Sequence, residues 1–226
     1  MTFSLILRDP ETGEFGSAIS SSSPAVAARC LNLADGIGGA NSQNVTDPRL
    51  GPKLIDELRA GRSAQEAVDA VVAAADPATI DFRQLLVLDN QGRGAVFSGG
   101  RALGNFGDAV RENAVAGGNM LASLDVLDAL VDTALSATGR IEERLYAALQ
   151  AAVAAGGEEG PVHSAGLSVV SIAGWRVTDL RVDWVDDDPI GQLGRVLDEW
   201  LPQRDDYTNR GIDPSAAPSY GVPGDE

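Results

Sequence analysis

The sequence predicts an α+β fold in which two stacked, mainly antiparallel sheets lie between layers of helices. Short strand patterns occur in consecutive pairs joined by turn residues, which is typical of antiparallel hairpins. Helical patterns occur in pairs between these hairpins, whereas a purely parallel sheet would need strands and helices in alternation. With 226 residues, the chain is long enough to bury one large core.

The first predicted element pair is a hairpin. Residues 2–9 alternate large apolar side chains with smaller or polar ones, which predicts a strand. Residues 9–13 form a turn, with proline suited to the second position and glycine closing it. Residues 14–21 are a second strand of mostly small side chains. This hairpin would bring the serines at 20–23 back beside Thr2.

Helix caps and turn residues locate the remaining elements. Asp47-Pro48 is suited to open a helix, and Ser63 with Glu66 forms a capping box for the next one. The predicted elements after the hairpin are a strand or glycine-rich turn over 36–40, helices over 47–60 and 63–75, strands over 83–89 and 94–98, an irregular segment over 99–119, helices over 123–137 and 141–155, strands over 164–173 and 176–185, and a helix over 189–201.

The sequence predicts one domain followed by an extended arm. There is no internal repeat and no linker before residue 202, so we expect residues 1–201 to form the domain. Residues 202–226 are rich in acidic residues and proline but carry Tyr207 and Tyr220 at a wide interval. Prolines stiffen such a segment and reduce the entropy lost when it docks. We expect an arm that lies over a second subunit of a homodimer or higher homo-oligomer; a flexible, solubilising tail is the alternative.

The composition excludes several classes of partner. The formal net charge is −16 at pH 7. Such a surface repels nucleic-acid phosphates and anionic lipids, so we expect a small-molecule substrate and neither a nucleic acid nor a membrane as partner. The single cysteine allows no intrachain disulfide, and neither a signal-peptide pattern nor a membrane-spanning apolar stretch occurs. We therefore expect a soluble, cytoplasmic protein.

Few residues of the usual catalytic types are present. The chain has one histidine, His163, one cysteine, Cys30, and one lysine, Lys53. A zinc site of Cys and His ligands is therefore excluded, a Ser-His-Asp triad would need His163, and a Schiff base would need Lys53. Neither a GxSxG nor a P-loop motif occurs, and we expect no organic cofactor and no metal. The N-terminal amine is then the simplest general base available to a hydrolase.

Thr2 is the leading candidate nucleophile. Because residue 2 is small, methionine aminopeptidase is expected to remove Met1, and Thr2 would then head the first strand. Its α-amino group, with a reference pKa of about 7.7–8.0, can take the proton of its own hydroxyl without a histidine. Many ordinary proteins also begin Met-Thr, so an N-terminus without catalytic function is the alternative.

Polar side chains from two further segments are candidates for the same site. Ser4 and the serines at 20–23 could hydrogen-bond the amine or the substrate; alternatively, these hydroxyls cap backbone groups at a strand end. The loop before the first predicted helix carries Gln43, Asn44 and Arg49. Amides suit an oxyanion, and Arg49 could bind a substrate carboxylate through two hydrogen bonds. A polar loop before a capped helix is the alternative.

Three later positions complete the candidates. Asn119 follows two glycines that allow close backbone approach, and it offers both a donor and an acceptor; Glu112 precedes it. A helix-entry turn is the alternative for this segment. His163 lies beside an apolar strand, where a lone histidine is more often structural. A divalent metal at Asp183 and 186–188 is a third hypothesis, although Asp is also typical of an exposed helix start.

Short motifs along the whole chain resemble one bacterial family, domain of unknown function 1028, which is grouped with the N-terminal-nucleophile (Ntn) hydrolases. The motifs that carry the resemblance are at residues 2–6, 9–16, 46–52, 118–121, 164–167, 179–183 with 188–190, and 217–226. The resemblance implies a four-layer αββα sandwich, in agreement with the order of elements. Residues 157–164 depart from the family pattern, in which a Gln precedes the Ser-Ala of the late strand. Specificity is therefore expected to differ if this loop contacts the substrate.

The superfamily suggests hydrolysis of a small amide or related C–N bond, and no particular substrate. The residues expected to take part in catalysis are Thr2, Ser4, Asn44 and Asn119, and those expected to bind substrate are Ser20, Gln43, Arg49, Glu112 and His163. A non-catalytic binding or assembly protein on an Ntn-like scaffold is the alternative. It is favoured by the shortage of Lys and His, because many Ntn enzymes place a cationic residue beside the nucleophile. Here Arg8 or Arg29 would have to take that place.

Overall fold

The structure is a computed structural model that describes residues 1–222. These residues form ten strands and eight helices. The strands are β1 (Thr2–Arg8), β2 (Phe15–Ser21), β3 (Leu31–Ala34), β4 (Gly38–Asn44), β5 (Arg83–Asp89), β6 (Gly94–Ser98), β7 (Gly107–Arg111), β8 (Ala114–Asn119), β9 (Ser164–Val170) and β10 (Arg176–Val182). The helices are α1 (Val26–Cys30), α2 (Leu50–Arg59), α3 (Ala64–Ala74), α4 (Pro77–Ile80), α5 (Asp125–Ser136), α6 (Ile141–Ala154), α7 (Pro189–Trp200) and α8 (Arg204–Ile212).

The strands form two sheets. One sheet has six strands in the order β10-β9-β2-β1-β8-β7, and the other has four in the order β3-β4-β5-β6. Every pair of neighbouring strands in both sheets is antiparallel. The chain is therefore of the α+β class with two antiparallel sheets, as the sequence predicts. Strand β1 is an interior strand of the larger sheet, between β2 and β8.

Side chains of β1 alternate between two apolar regions. Phe3, Leu5 and Leu7 belong to a core that the six-stranded sheet shares with α5, α6 and α7. On the other face, Ile6 packs with Leu86 and Leu88 of β5, so that the two sheets contact each other there. Helices α2 and α3 pack against the four-stranded sheet. Burial on both faces holds the first residues of β1 in one position.

The segment predicted to be irregular, 99–119, contains β7 and β8, and this prediction was wrong for these strands. Glycine is unfavourable in strands and hides their pattern. The structure explains the glycines: a Cβ at Gly117 would lie 3.0 Å from Leu86, and one at Gly118 would lie 3.0 Å from the carbonyl oxygen of Thr2. Small residues are needed here because β8 is covered closely by neighbouring groups. The other predicted elements begin and end within three residues of their predicted bounds. The exception is the strand or turn predicted over 36–40, which is strand β4 and extends to Asn44.

The C-terminal segment begins with a helix, α8, where an extended chain was expected. Arg204 anchors this helix: its guanidinium donates to Glu142 at 2.6 Å and pairs with Glu14. The ring of Tyr207 contacts Trp200, with centroids 5.5 Å apart, and contacts Tyr220 at 6.0 Å. Residues 223–226 of the arm lie outside the described residues. The division at residue 201 and the contact with a second subunit stay predictions.

No helix within residues 1–222 has the length and apolar character needed to cross a membrane.

Candidate functional site

Thr2 lies in a row of polar side chains at the start of β1. It pairs with Ser21 of β2 on one side and with Asn119 of β8 on the other. Residues directly opposite each other in antiparallel strands project on the same face, so the three side chains are neighbours. Thr2 is only 6% exposed, and Ser21 and Asn119 are buried. The predicted hairpin thus brings the serine-rich strand end to Thr2, and the unpredicted strand β8 adds Asn119.

A chain of hydroxyl groups connects Thr2 with a guanidinium. Ser21 Oγ lies 3.1 Å from Thr2 Oγ1 and 2.9 Å from Ser23 Oγ. Arg29 Nη2 donates to Ser23 Oγ at 2.8 Å. Arg8 instead donates to Asn113, at the far end of β1. Of the two arginines considered from the sequence, Arg29 is the one connected with Thr2.

Buried amides from the second sheet extend this polar region. Ser4 Oγ donates to Gln43 Oε1 at 2.6 Å, and Gln43 Nε2 donates to Gln84 Oε1 at 2.8 Å. Asn119 Nδ2 lies 3.4 Å from the same Gln84 oxygen and donates to it, and Asn41 Nδ2 donates to Ser4 Oγ at 3.1 Å. Asn119 Oδ1 is buried without a hydrogen-bond partner among the described residues, whereas the amide groups of Gln43 and Gln84 are paired. A buried hydrogen-bond network of this kind is rigid. It fixes Ser4, Gln43 and Asn119 relative to Thr2.

Two of these amides were given no role in the sequence analysis: Gln84 was missed, and Asn41 was noted only as part of the polar stretch 38–49. Gln84 lies in strand β5 directly before the apolar run 85–88, and Asn41 lies within β4. The signal that could have identified Gln84 is a polar residue that directly precedes this apolar run. Nothing in the local sequence pairs these amides with Ser4, because the contact joins two different sheets.

Glu158 is a further residue of this site that the sequence analysis missed. It is 7% exposed, and its backbone forms an isolated bridge with Leu121, two residues beyond Asn119. Its Oε2 accepts a hydrogen bond from the backbone N–H of Ser22 at 3.2 Å. Its Oε1 has no hydrogen-bond partner among the described residues. The departure of residues 157–164 from the family pattern was the available signal.

Burial dominates the ionisation of Glu158 and of the nearby amino terminus. Burial raises the pKa of Glu158 to about 8, although the Met1 ammonium and the Ser22 N–H oppose the rise. Burial also lowers the pKa of the Met1 amino group, and the negative charge of Glu158 opposes that change. The two groups therefore favour each other's charged form.

Two predicted site residues have structural contacts of their own. Ser20 pairs with Phe3 across the strands, so its side chain lies on the face opposite to Thr2, where its hydroxyl donates to the Ser164 carbonyl. Asn44 has a left-handed backbone, with φ of 69°, and its side chain donates to the carbonyl of Phe82. Neither contact joins the row at Thr2, and the functional roles of both residues stay predictions.

The side chains of the other three predicted residues also lie apart from that row. Arg49 is exposed and forms an ion pair with Asp47 at 2.8 Å. Glu112 is in the turn between β7 and β8, at the end of β8 opposite to Asn119. The backbone N–H of His163 donates to the carbonyl of Ser21, but its ring stacks on Trp184 with centroids 4.2 Å apart. Their binding roles stay predictions.

The acidic residues 186–188 line a separate cavity of about 500 Å³ together with Tyr146 and Ile190. Asp188 caps α7 by accepting from the backbone N–H of Gly191, which agrees with the interpretation of this run as a helix start. Within residues 1–222, no three His, Cys, Asp or Glu side chains are placed to hold a metal ion together.

Comparisons with known proteins agree with the resemblance found in the sequence. The model of a family of unknown function, DUF1028, matches residues 2–193. The crystal structure of protein SPO2555 from Silicibacter pomeroyi, of the same family, is similar with a TM-score of 0.84 and 30% identity, covering 92% of this chain and 94% of that one. Anbu (ancestral beta-subunit) from Yersinia bercovieri has a TM-score of 0.41 and 12% identity, covering 89% and 95%. No curated protein matches this chain. From the family match and the 30% identity to SPO2555, the chain belongs to the DUF1028 family.

Proposed function

We propose that this protein is an Ntn-type hydrolase that cleaves a small amide or related C–N bond. Thr2, freed by removal of Met1, is its nucleophile. The single observation that carries the proposal is the place of Thr2: it heads an interior strand, buried in a row with Ser21 and Asn119. We also propose that the two sheets and their covering helices form a four-layer αββα sandwich. The contacts of α5 to α7 with one sheet, and of α2 and α3 with the other, support this arrangement.

In the proposed reaction, the free α-amino group of Thr2 accepts the proton of Oγ1 as this oxygen attacks the substrate carbonyl. The C–N bond then breaks, the leaving nitrogen takes that proton, and the acyl group remains on Oγ1 as an ester. Water hydrolyses the ester and regenerates Thr2. The Ser21 hydroxyl and the Asn119 amide border Thr2 and are our candidates for contacts to the oxyanion.

Arg29 supplies a positive charge to the chain of hydroxyl groups at Thr2. It donates to Ser23 Oγ, which lies 2.9 Å from Ser21 Oγ, and Ser21 Oγ lies 3.1 Å from Thr2 Oγ1. We propose Arg29 for the place of the cationic residue that many Ntn enzymes have beside the nucleophile.

The experiment is a comparison of Thr2→Ala, Thr2→Ser and Thr12→Ala on a panel of small amides. All three variants keep a small residue at position 2, so Met1 removal is expected in each and is checked by intact-mass spectrometry. Thr2→Ala should lower turnover by at least about 100-fold, the range that a nucleophile contributes, and Thr2→Ser should retain part of it. Thr12 is exposed, and its variant should behave as the wild type. Equal turnover by the Thr2→Ala variant would contradict the proposal.

A binding protein on the same scaffold is the second candidate. The observation in its favour is that Arg29 connects with Thr2 only through two serine hydroxyls. A correctly processed chain that binds small amides but does not hydrolyse them would support this candidate.

A further inference from the structure

We infer that the site takes amides with a free α-amino group, that is, aminoacyl amides, and that Glu158 binds their ammonium group. The inference rests on the proposed function, since it concerns the substrate of the Thr2 site. It comes from the way in which Met1 itself is held.

Met1 is an aminoacyl group bound at Thr2. Its carbonyl oxygen accepts hydrogen bonds from Thr2 Oγ1 at 2.5 Å and from Ser21 Oγ at 2.6 Å. These are the hydroxyls that a substrate carbonyl would meet at the nucleophile. The carbonyl of Met1 therefore marks the place that the acyl group of a substrate would occupy when Met1 is gone. The substrate carbonyl would lie slightly further out than the Met1 carbonyl, because it is not bonded to the Thr2 nitrogen.

The side chain of Met1 lies against Gly160. A Cβ built on Gly160 would lie 2.5 Å from Met1 Cε and 3.0 Å from Met1 Sδ. Among the described residues, no other atom outside the adjacent residues lies within 4 Å of this Cβ. Once Met1 is removed, Gly160 borders an open space of the size of an unbranched apolar side chain.

Contacts on two sides bring Glu158 close to Met1. Glu158 Oε2 accepts from the backbone N–H of Ser22, and the neighbouring Ser21 donates to the Met1 carbonyl. Gly160, two residues after Glu158, lies against the Met1 side chain. In agreement with this geometry, the Met1 ammonium and the Glu158 carboxylate each favour the charged form of the other. Removal of Met1 takes this positive charge away and leaves Glu158, 7% exposed, with Oε1 unpaired among the described residues. An unpaired buried carboxyl is costly, and a carboxylate can accept further hydrogen bonds from an ammonium. Each of the three groups of an aminoacyl residue thus has a counterpart in the site. The ammonium meets Glu158, the carbonyl meets the Thr2 and Ser21 hydroxyls, and the side chain meets the space at Gly160.

The reaction balances without a co-reactant other than water. The Thr2 Oγ1–acyl bond forms and the C–N bond of the aminoacyl amide breaks. The proton of Oγ1 passes through the Thr2 amine to the leaving nitrogen. Water then cleaves the ester and releases a free amino acid.

Binding is tested first, on the full chain with Thr2→Ala and with Met1 removal confirmed by mass, so that no turnover interferes. The probes are L-methioninamide and N-acetyl-L-methioninamide, and calorimetry gives their dissociation constants. At pH 8, near the raised pKa of Glu158, the bound ammonium favours the charged carboxylate. We therefore expect the free amine to bind at least about 10-fold more tightly at this pH, the usual effect of one charge-assisted hydrogen bond. Adding Glu158→Gln should abolish this preference, whereas the neighbouring Glu159→Gln, at an exposed residue, should keep it. Equal binding of the two probes would overturn the inference.

A second variant tests the side-chain space. Gly160→Ala should weaken binding of L-methioninamide relative to glycinamide, because its Cβ enters the space that Met1 vacates and meets no other group within residues 1–222. An unchanged ratio of the two affinities would contradict this part of the inference.

Turnover separates this inference from the proposed function. If the processed chain hydrolyses amides equally well with and without the α-amino group, the proposed function stands and the inference fails. The same conclusion follows if Glu158→Gln slows both substrates equally, since Glu158 would then act on the Thr2 amine. If the amine preference in binding is found but no amide is hydrolysed, the inference stands and the proposed hydrolase fails.

Discussion

At the scale of single residues, the site depends on buried polar groups whose partners come from distant parts of the chain. Thr2, Ser4 and Asn119 could be identified from the sequence as reactive or polar residues in short motifs. Gln84 and Glu158 were missed, because their importance lies in contacts with residues 43 and 22, and their sequence signals are weak without those contacts. Local patterns carry propensity and periodicity, but they do not carry the packing of one sheet on another.

Gln84 is expected to be a residue on which stability depends. Its amide donates to the carbonyls of Gly107 and Gly118, and its oxygen accepts from Gln43. Gln84→Ala leaves these buried groups unpaired, so we expect the free energy of unfolding to fall by about 2 kcal/mol or more. Urea denaturation measures this change, with Gln91→Ala as the control because Gln91 is exposed. A loss no greater than that of the control would show that water replaces the network.

Glu158 is expected to make stability depend on pH. In the chain that carries Met1, burial raises the pKa of Glu158 from 4.5 to about 8 in the folded state, against the opposing charge of the Met1 ammonium. Removal of Met1 takes this opposing charge away, so we expect the pKa to stay raised in the processed wild type. Between these values the folded protein holds a proton that the unfolded chain has lost, so stability falls as pH rises through this window. Glu158→Gln removes this titration. As the pH rises from 5 to 8, the Tm of the variant should increase relative to that of the wild type by at least about 3 °C. For a protein of this size, such a change corresponds to about 1 kcal/mol.

A difference in Tm between wild type and Glu158→Gln that stays constant from pH 5 to pH 8 would contradict this prediction. Glu159→Gln is the matched control, because Glu159 is the neighbouring exposed carboxylate.

At the scale of elements, strands with strong apolar character were predicted with their correct bounds, as β5 and β6 were. Strand β8 was missed because its glycines, required by close contacts with Leu86 and Thr2, lower its strand propensity. Helix α8 was missed because it has almost no apolar face, and it is held by tertiary ion pairs that a local pattern does not contain. The missed strand β8 matters for the prediction of the site, because β8 carries Asn119.

The ion pair of Arg204 with Glu142 is expected to fix α8 on the domain. Glu142 is completely buried and also accepts from Thr178. Arg204→Ala would leave this charge without its cation, and breaking a buried pair costs about 3–5 kcal/mol. Chemical denaturation should show a loss of this size, while Arg195→Ala, at an exposed position of α7, should cost little. A small loss in both variants would contradict the role of this ion pair in holding α8.

At the scale of the whole molecule, the antiparallel sheets and their helices follow from the order of elements, whereas the assembly of subunits does not. We propose a homodimer or higher homo-oligomer in which residues after 202 contact a second subunit. Truncation after Pro202 should lower both the oligomer mass in light scattering and the Tm, while truncation after Ile212 retains α8 and its Arg204 contacts. If truncation after Pro202 leaves both the oligomer mass and the Tm unchanged, the anchoring role is contradicted.

The most direct test of the central claim is labelling of the purified protein with an electrophile that reacts with N-terminal threonine, such as a β-lactone, followed by intact-mass and peptide mass spectrometry. The proposed mechanism predicts that Met1 is absent and that one adduct forms on Thr2, and that the Thr2→Ala variant forms none. Retention of Met1 by the native protein, or an unlabelled Thr2 in a chain that has lost Met1, would contradict it.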